Sequence, residues 1–284
     1  MKKIALINDL SGLGKCSLTA SIPVISALGI QACPLPTAIL SAQTGFKNYY
    51  YDDYTDKMNK FTDEWSNMNL LFDGIYSGFL GNAKQMHNVL YFLDKFQTED
   101  TIYLADPIIG DNGVPFPFFT EKLCDAVKHL TQRATIITPN LTELCLLAQA
   151  DYSKLCSYSN SSDYLNSIKD IGHNLLKNSC KNQTVLVTGI IRPEKDKLFI
   201  GNMAINKDYD FYVETPYTQK SFSGTGDLYA SVVIGCLVKG IDISDAMKKA
   251  ATFLQPAIEE ASIQNIDRNH GVNFEKYLNL LWSK

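Results

Sequence analysis

KIALINDLSGLGKCSLTASIPVISALG, residues 3–29, is the stretch that sets the fold. Residues 3–8 form a short apolar run ending at Asn8-Asp9, which reads as a buried strand. A polar, glycine-rich turn follows. Residues 17–28 then carry apolar positions at helical spacing, and Gly29 closes the helix. The same strand, turn, helix unit recurs outward from this stretch. Residues 70–76, 102–105, 134–137 and 184–187 read as strands, the last ending at Thr188-Gly189. Residues 86–96, 122–130, 141–148 and 164–176 read as helices. Pro34 and Pro36 lie in the extended run after Gly29 and demote it to an edge or irregular strand. Residues 197–213 read as two β-like runs around a turn at 206–210, and the chain turns helical after residue 225. Alternating strands and crossover helices predict an α/β fold with a central, mostly parallel sheet covered on both faces.

Composition narrows the class further. The chain has 284 residues, 45% hydrophobic and 20% charged, enough for a sizeable core without metal or disulfide staples. Lys+Arg is 26 and Asp+Glu is 30, a formal net charge of −4, which argues against a broad nucleic-acid footprint. No run of 18 apolar residues predicts a membrane span. The N-terminal residues 1–10 read as a first strand and not as a secretory signal. The seven cysteines (16, 33, 124, 145, 156, 180 and 236) are an odd, scattered set without zinc spacing, so reduced thiols in a cytoplasmic protein are expected. The polar stretch 151–163 reads as a surface loop too short to link domains, so the expectation is a single domain, 1–284.

In open α/β sheets ligands bind beyond the carboxyl ends of strands, which directs attention to Asn8-Asp9, Ser77-Gly78, Asp106, Thr138–Asn140 and Thr188-Gly189. Residues 9–16, D-L-S-G-L-G-K-C, nearly match a phosphate loop. Asp9 replaces its first glycine, however, and Cys16 replaces the hydroxyl that would meet Mg²⁺. A Rossmann fingerprint fails too, because Ser17 stands where the third glycine belongs. A plain βα turn weighs equally; if Asp9 meets a ligand, a polar organic substrate suits it better than a triphosphate.

The strongest signal is Ser223-Gly224-Thr225-Gly226-Asp227 running into an apolar helix. Its glycines let amides converge at a helix N-terminus, a cradle for anionic oxygens. Asp227 in the first turn can take a proton from a nucleophilic hydroxyl. Ordinary helix capping weighs evenly against this. Asn140 and Glu143 in T-P-N-L-T-E have capping-box spacing, set against a role for Glu143 in holding hydrated Mg²⁺. Asp106 and Asp111, in A-D-P-I-I-G-D-N-G, are turn formers or groups facing a metal–phosphate. The functional reading leads for Asp106 and trails for Asp111, which precedes an Asn-Gly turn signal. His87, His129, His173 and His270 have no partner pattern, and Cys236 lies in an apolar helix.

These motifs, taken in order with Ser41-Ala-Gln-Thr-Gly45, Tyr76-Ser-Gly-Phe-Leu-Gly81 and Val187-Thr-Gly189, resemble the ribokinase-like (PfkB) superfamily and, more narrowly, its vitamin B6 (pyridoxal/pyridoxamine) kinases. The resemblance spans nearly the whole chain. It implies a ribokinase-like sheet flanked by helices, with a small flap over the substrate, and ATP-dependent phosphorylation of a hydroxymethyl group. It implies that Asp227 is the catalytic base and that Gly224, Thr225 and Gly226 form the anion hole. It places Asp106, Asn140, Glu143 and Thr188 at the nucleotide, Asp106 and Glu143 also at Mg²⁺, with a monovalent cation as a further candidate. Ser41 and Thr44 fall to the B6 ring. Asp9 stands where many pyridoxal kinases have Ser, and the loop is similar to the D-P-S-G-G-A-G loop of hydroxymethylpyrimidine kinases. It is therefore also assigned to the substrate. The resemblance further implies a homodimer; the aromatic-rich stretch 46–54 reads as a flap or an interface, set against plain packing, which aromatic clusters more often serve. Alternatives are a hydroxymethylpyrimidine kinase of thiamine synthesis, a bifunctional enzyme, or a catalytically silent nucleotide- or B6-binding protein on the same fold. A Rossmann dehydrogenase is a distant third.

Overall fold

A computed structural model describes residues 1–116, 121–158, 161–177, 179 and 182–282. The strands are β1 (Lys3–Ser11), β2 (Gln31–Leu40), β3 (Tyr51–Asp53), β4 (Gly74–Ser77), β5 (Ile102–Ala105), β6 (Gly110–Asp111), β7 (Val114–Pro115), β8 (Ile136–Ile137), β9 (Thr184–Glu194), β10 (Lys197–Ile205) and β11 (Asp210–Pro216). The helices are α1 (Ser17–Ala27), α2 (Thr55–Asn67), α3 (Ala83–Phe96), α4 (Glu121–Arg133), α5 (Leu141–Ala148), α6 (Tyr152–Cys156), α7 (Ser161–Leu176), α8 (Thr225–Val238) and α9 (Ile243–Ile263), followed by 3-10 turns at Arg268–His270 and Phe274–Leu281. This is the expected mixed α/β class, a mostly parallel sheet flanked by helices. Among the described residues no helix is long and apolar enough to cross a membrane.

The chain divides into two compact units, Met1–Leu104 with Lys220–Lys284, and Ala105–Gln219. In the first, the strand order is β5-β4-β1-β2-β3, with β1 parallel to β4 and β2. The centre of β1, Ile4 to Ile7, is wholly buried, as a central parallel strand should be. Helix α8 is apolar almost all round and is covered by α1, α9 and β4, so it can only be an interior helix. Strand β2 lies along β1, while β3 covers only Ala38–Leu40 on its other side. Pro34 and Pro36 therefore sit where β3 claims no amide, which is the edge-like setting their sequence predicts. The β1–β2 register slips between Asn8 and Leu10, an irregularity that falls at Asp9.

In the second unit the order is β11-β10-β9-β8, with β8 parallel to β9 and the other two pairs antiparallel. Helices α5 and α7 pack together and against β9. Three readings need correction. Strand β9 does not stop at Thr188-Gly189 but continues to Glu194, because the hairpin with β10 keeps pairing it. The run 70–76 becomes strand only from Gly74, with Leu71 76% exposed just before it. The loop expected at 151–163 contains α6, capped by Asp151 through the amides of Ser153 and Lys154. Cys16, Cys33, Cys145, Cys156 and Cys236 are free thiols. Cys180 and the side chain of Cys124 lie outside the described residues.

Candidate active site

In the first unit the turn before α8 is shaped by Gly224. It is the N-cap of the helix at φ 82°, a left-handed conformation that costs any side-chain-bearing residue, and a Cβ there would collide with the carbonyl oxygen of Lys15. The turn thereby lies directly on the first loop. Thr225 Oγ1 donates to the carbonyl of Phe222 at 3.0 Å, while a Cβ at Gly226 would meet no atom within 4 Å. The helix start is consequently open beside Gly226, and the amides of residues 224–226 stand at the positive end of α8.

Asp227, one residue on, is gripped from three elements. Asn8 Nδ2 and the Tyr76 hydroxyl donate to Oδ1 at 3.1 and 3.0 Å, and the Ser17 amide donates to Oδ2 at 2.8 Å. Burial pushes its carboxyl up to about 6 and the nearby Asp9 charge adds to the rise, while the Ser17, Tyr76 and Asn8 donors oppose it. Asn8 is itself fixed, since its Oδ1 accepts the amides of Asp9 and Phe79. Gly78 leaves the space that Asn8 fills; a side chain there would strike the Asn8 carboxamide.

Asp9 is 6% exposed, with Oδ1 accepting from Ser17 Oγ at 2.6 Å and Oδ2 from Ser11 Oγ at 2.7 Å. Burial raises its carboxyl as well. Between the two acids the Cys16 thiol is pushed up to about 12, chiefly by burial and then by both charges, so it is an inert thiol at neutral pH.

Ser41 and Thr44 flank a second fixed point. Ser41 Oγ accepts the Tyr50 amide at 2.8 Å, whereas Thr44 is exposed and its hydroxyl has no hydrogen-bond partner among the described residues. Between them Gln43 is buried. Its Nε2 lies 3.3 Å from Ser223 Oγ and 3.2 Å from both the carbonyl and Oδ1 of Asn269, and its Oε1 accepts the Gly45 amide at 2.7 Å. Ser223 N–H in turn donates to the Arg268 carbonyl at 3.0 Å. The Gln43 side chain thus ties residues 45, 223 and 269 together, and the Gln43 amide adds the carbonyl of Leu13 at 2.9 Å. Sequence reading passes over Gln43 and Asn269. Gln43 lies inside the motif at residues 41–45, whereas nothing local marks Asn269 for its contacts with Gln43 and Gly45, more than 200 positions away.

In the second unit Asn140 caps α5. Glu143 N–H donates to Asn140 Oδ1 at 3.0 Å and Asn140 N–H to Glu143 Oε2 at 2.9 Å, the capping box that the spacing predicts. Glu143 Oε1 also accepts the Ile109 amide at 3.0 Å, and Asn140 Nδ2 donates to the Gly110 carbonyl at 2.9 Å. The β6–β7 hairpin is so anchored to the start of α5, with Gly113 N–H on Thr142 Oγ1 at 2.8 Å. Asp111 spends its carboxylate on Asn112 in the hairpin turn, the turn-forming role that leads in its sequence. Thr188 forms a bridge with Asn140 and donates its amide to the Pro139 carbonyl at 2.9 Å. Asp106 is half-buried in the loop after β5. Burial drives the Glu143 carboxyl up to about 7, against the Asn140 and Ile109 amides and with help from the Asp111 charge. No cluster of three or more His, Cys, Asp or Glu groups suited to a metal occurs among the described residues.

The profile of the phosphomethylpyrimidine kinase family matches residues 14–273. The chain belongs to this family. A Bacteroides thetaiotaomicron protein described as a phosphomethylpyrimidine kinase, solved with pyridoxal, is 35% identical to this family member. The match covers 99% of this chain and 95% of that one, with a TM-score of 0.87. A pyridoxal kinase from Dictyostelium discoideum is 26% identical over 87% of this chain and 80% of its own length. A hydroxymethylpyrimidine/phosphomethylpyrimidine kinase from Bacillus subtilis is 27% identical over 70% of this chain and 67% of its own. The resemblance read from the ordered motifs is borne out at the level of superfamily and branch, and the kinase class with it.

Proposed function

We propose that this kinase transfers the terminal phosphoryl group of ATP to the 5′-hydroxymethyl of a vitamin B6 vitamer, yielding the 5′-phosphate for salvage of pyridoxal 5′-phosphate. The observation that carries the reading is Asp227, a carboxylate held by three donors directly behind a turn of amides. A base with its proton affinity raised toward neutrality takes a proton from an alcohol better than an ordinary carboxylate does. In this reading Asp227 orients and deprotonates the hydroxyl. The amides of Gly224, Thr225 and Gly226 stabilise negative charge on the transferred group, and Thr44, with its unengaged hydroxyl, and Ser41 hold the ring. Asp106, Asn140 and Thr188 serve the nucleotide. Positioning and electrostatics do most of the catalysis, as phosphoryl transfer requires.

The donor set fits Mg²⁺ only as an ion that keeps its waters and phosphate ligands. Asp106 supplies a carboxylate, while Glu143, with both oxygens on amides, fits a contact through water. Bound with the nucleotide, the ion would offset phosphate charge. The reading extends to a single kinase domain over 1–284, cytoplasmic and homodimeric.

A hydroxymethylpyrimidine substrate is the second reading, favoured by the family match and by the Bacillus subtilis relative. A coupled ADP-release assay across pyridoxal, pyridoxamine, pyridoxine and hydroxymethylpyrimidine separates the two. A kcat/KM for hydroxymethylpyrimidine above that of every B6 vitamer overturns the first.

A further inference from the structure

Ser17 is bound to two carboxylates at once. Its amide donates to Asp227 Oδ2 at 2.8 Å and its hydroxyl to Asp9 Oδ1 at 2.6 Å. Its backbone lies at φ 52°, in the left-handed region that a side-chain-bearing residue adopts at a cost. Such a conformation persists where the surroundings over-determine it, and here the two acids do so. Asp9 meanwhile has both oxygens on serine hydroxyls and is buried. With each oxygen already holding a hydroxyl and only 6% of the residue exposed, little of the carboxylate is left open to a substrate amine or ring N–H.

We infer that Asp9 is a positioning residue: through Ser17 it fixes the catalytic Asp227, and as a second buried acid it tunes the proton affinity of that base, instead of binding the vitamer. The catalytic meaning of the inference rests on the kinase reading above; the carboxylate pair does not depend on it. Several polar and titratable groups face the pair. Cys16 and Ser17 face it from the start of α1, Asn8 and Ser11 from β1, Tyr76 from β4, and Tyr51, whose phenol the Asp9 charge helps to raise, from β3. The Asp9 charge adds to the rise of the Asp227 carboxyl, behind burial.

The test uses Asp9→Asn in the full chain, which keeps an acceptor for Ser17 and removes the charge. The Asp227 carboxyl is followed by carbon-13 NMR titration, assigned with Asp227→Asn. The pH profile of kcat/KM is recorded for pyridoxal and pyridoxamine. The titration and the acid limb should both move down by about half to one pH unit, the scale of a lost like charge. The ratio of the two KM values should stay within about twofold of wild type, since no substrate contact is lost. Ser17→Ala supplies a second route should Asp9→Asn not fold. Losing one of the hydroxyls that hold Asp9 as an anion should shift the Asp227 titration in the same direction. A KM rise of about tenfold or more confined to pyridoxamine, with an unmoved titration, overturns the inference and makes Asp9 a substrate contact. Failure of the kinase reading looks different: no vitamer is turned over by wild type, yet the NMR shift persists and supports the coupling.

Discussion

Asp227 is costly to keep charged. Its folded carboxyl is raised from 3.8 to about 6, so the group stabilises the fold relative to an ordinary aspartate only while protonated. That contribution is complete below about pH 4 and lost as pH rises through 6. Asp227→Asn should therefore gain stability over wild type as pH rises through that window, reaching about 1–2 kcal/mol by pH 8 once partial solvent access is discounted. The same variant should lose about 10²–10⁴ in turnover while still binding ATP. In wild type, kcat/KM should climb with pH through about 6 and then level, and the variant should lack that limb. Thermal melts and rate profiles over pH 4–9 check both halves, and wild-type turnover by the variant removes the base assignment. Thr44 belongs to a different class, exposed and without a protein partner for its hydroxyl. Thr44→Ala should raise KM with a smaller change in kcat, read by steady-state kinetics. At this scale the sequence marks Asp227 because a helix start behind glycines is a local pattern. It does not reveal Asn8, Ser17 or Tyr76 as its holders, because donors 151 to 219 positions away meet it only after folding.

The turn before α8 separates two glycines of one motif. Gly224→Ala must adopt the left-handed conformation, at about 1–2 kcal/mol, and also displace the Lys15 carbonyl, so a lowered Tm with lost activity is expected. Gly226 lies within the helix and a Cβ there has open space, so Gly226→Ala should leave Tm equal or higher. A fall in kcat in Gly226→Ala without a fall in Tm would mark that opening as the place where phosphate approaches. Unchanged kinetics would remove Gly226 from the anion hole. On α5, Asn140→Ala should cost about 1–2 kcal/mol through the lost cap, checked by chemical denaturation. Helix α5 was legible to the residue because its start carries its own cap and its body is apolar. Helix α2 escaped the reading although its buried Thr55, Met58 and Thr62 have helical spacing, because two of the three are polar and its sequence is polar on average. Strand β9 outran its reading for a related reason: Thr188-Gly189 resembles a strand end, and only pairing with β10 overrides it.

For the whole molecule, the first unit is assembled from both ends of the chain, Met1–Leu104 and Lys220–Lys284, so its proposed base is correctly held only in the folded state. Any ligand that binds this state and not the unfolded chain must raise the unfolding temperature, by about 2.7 kcal/mol of stability at a hundredfold excess over Kd. Binding and turnover can therefore be read separately on one sample. Pyridoxal, pyridoxamine and pyridoxine are each expected to raise Tm and to release ADP when ATP and Mg²⁺ are supplied. Asp227→Asn should retain the pyridoxal-induced rise in Tm and lose ADP release, because the substitution removes a proton acceptor and leaves Thr44 and Ser41 in place. A rise in Tm with no ADP release from wild type at any pH between 6 and 9 would identify a protein that binds the vitamer without phosphorylating it. That outcome would make the carboxylate behind the glycine turn a structural tie from α8 to Asn8, Ser17 and Tyr76 and nothing more.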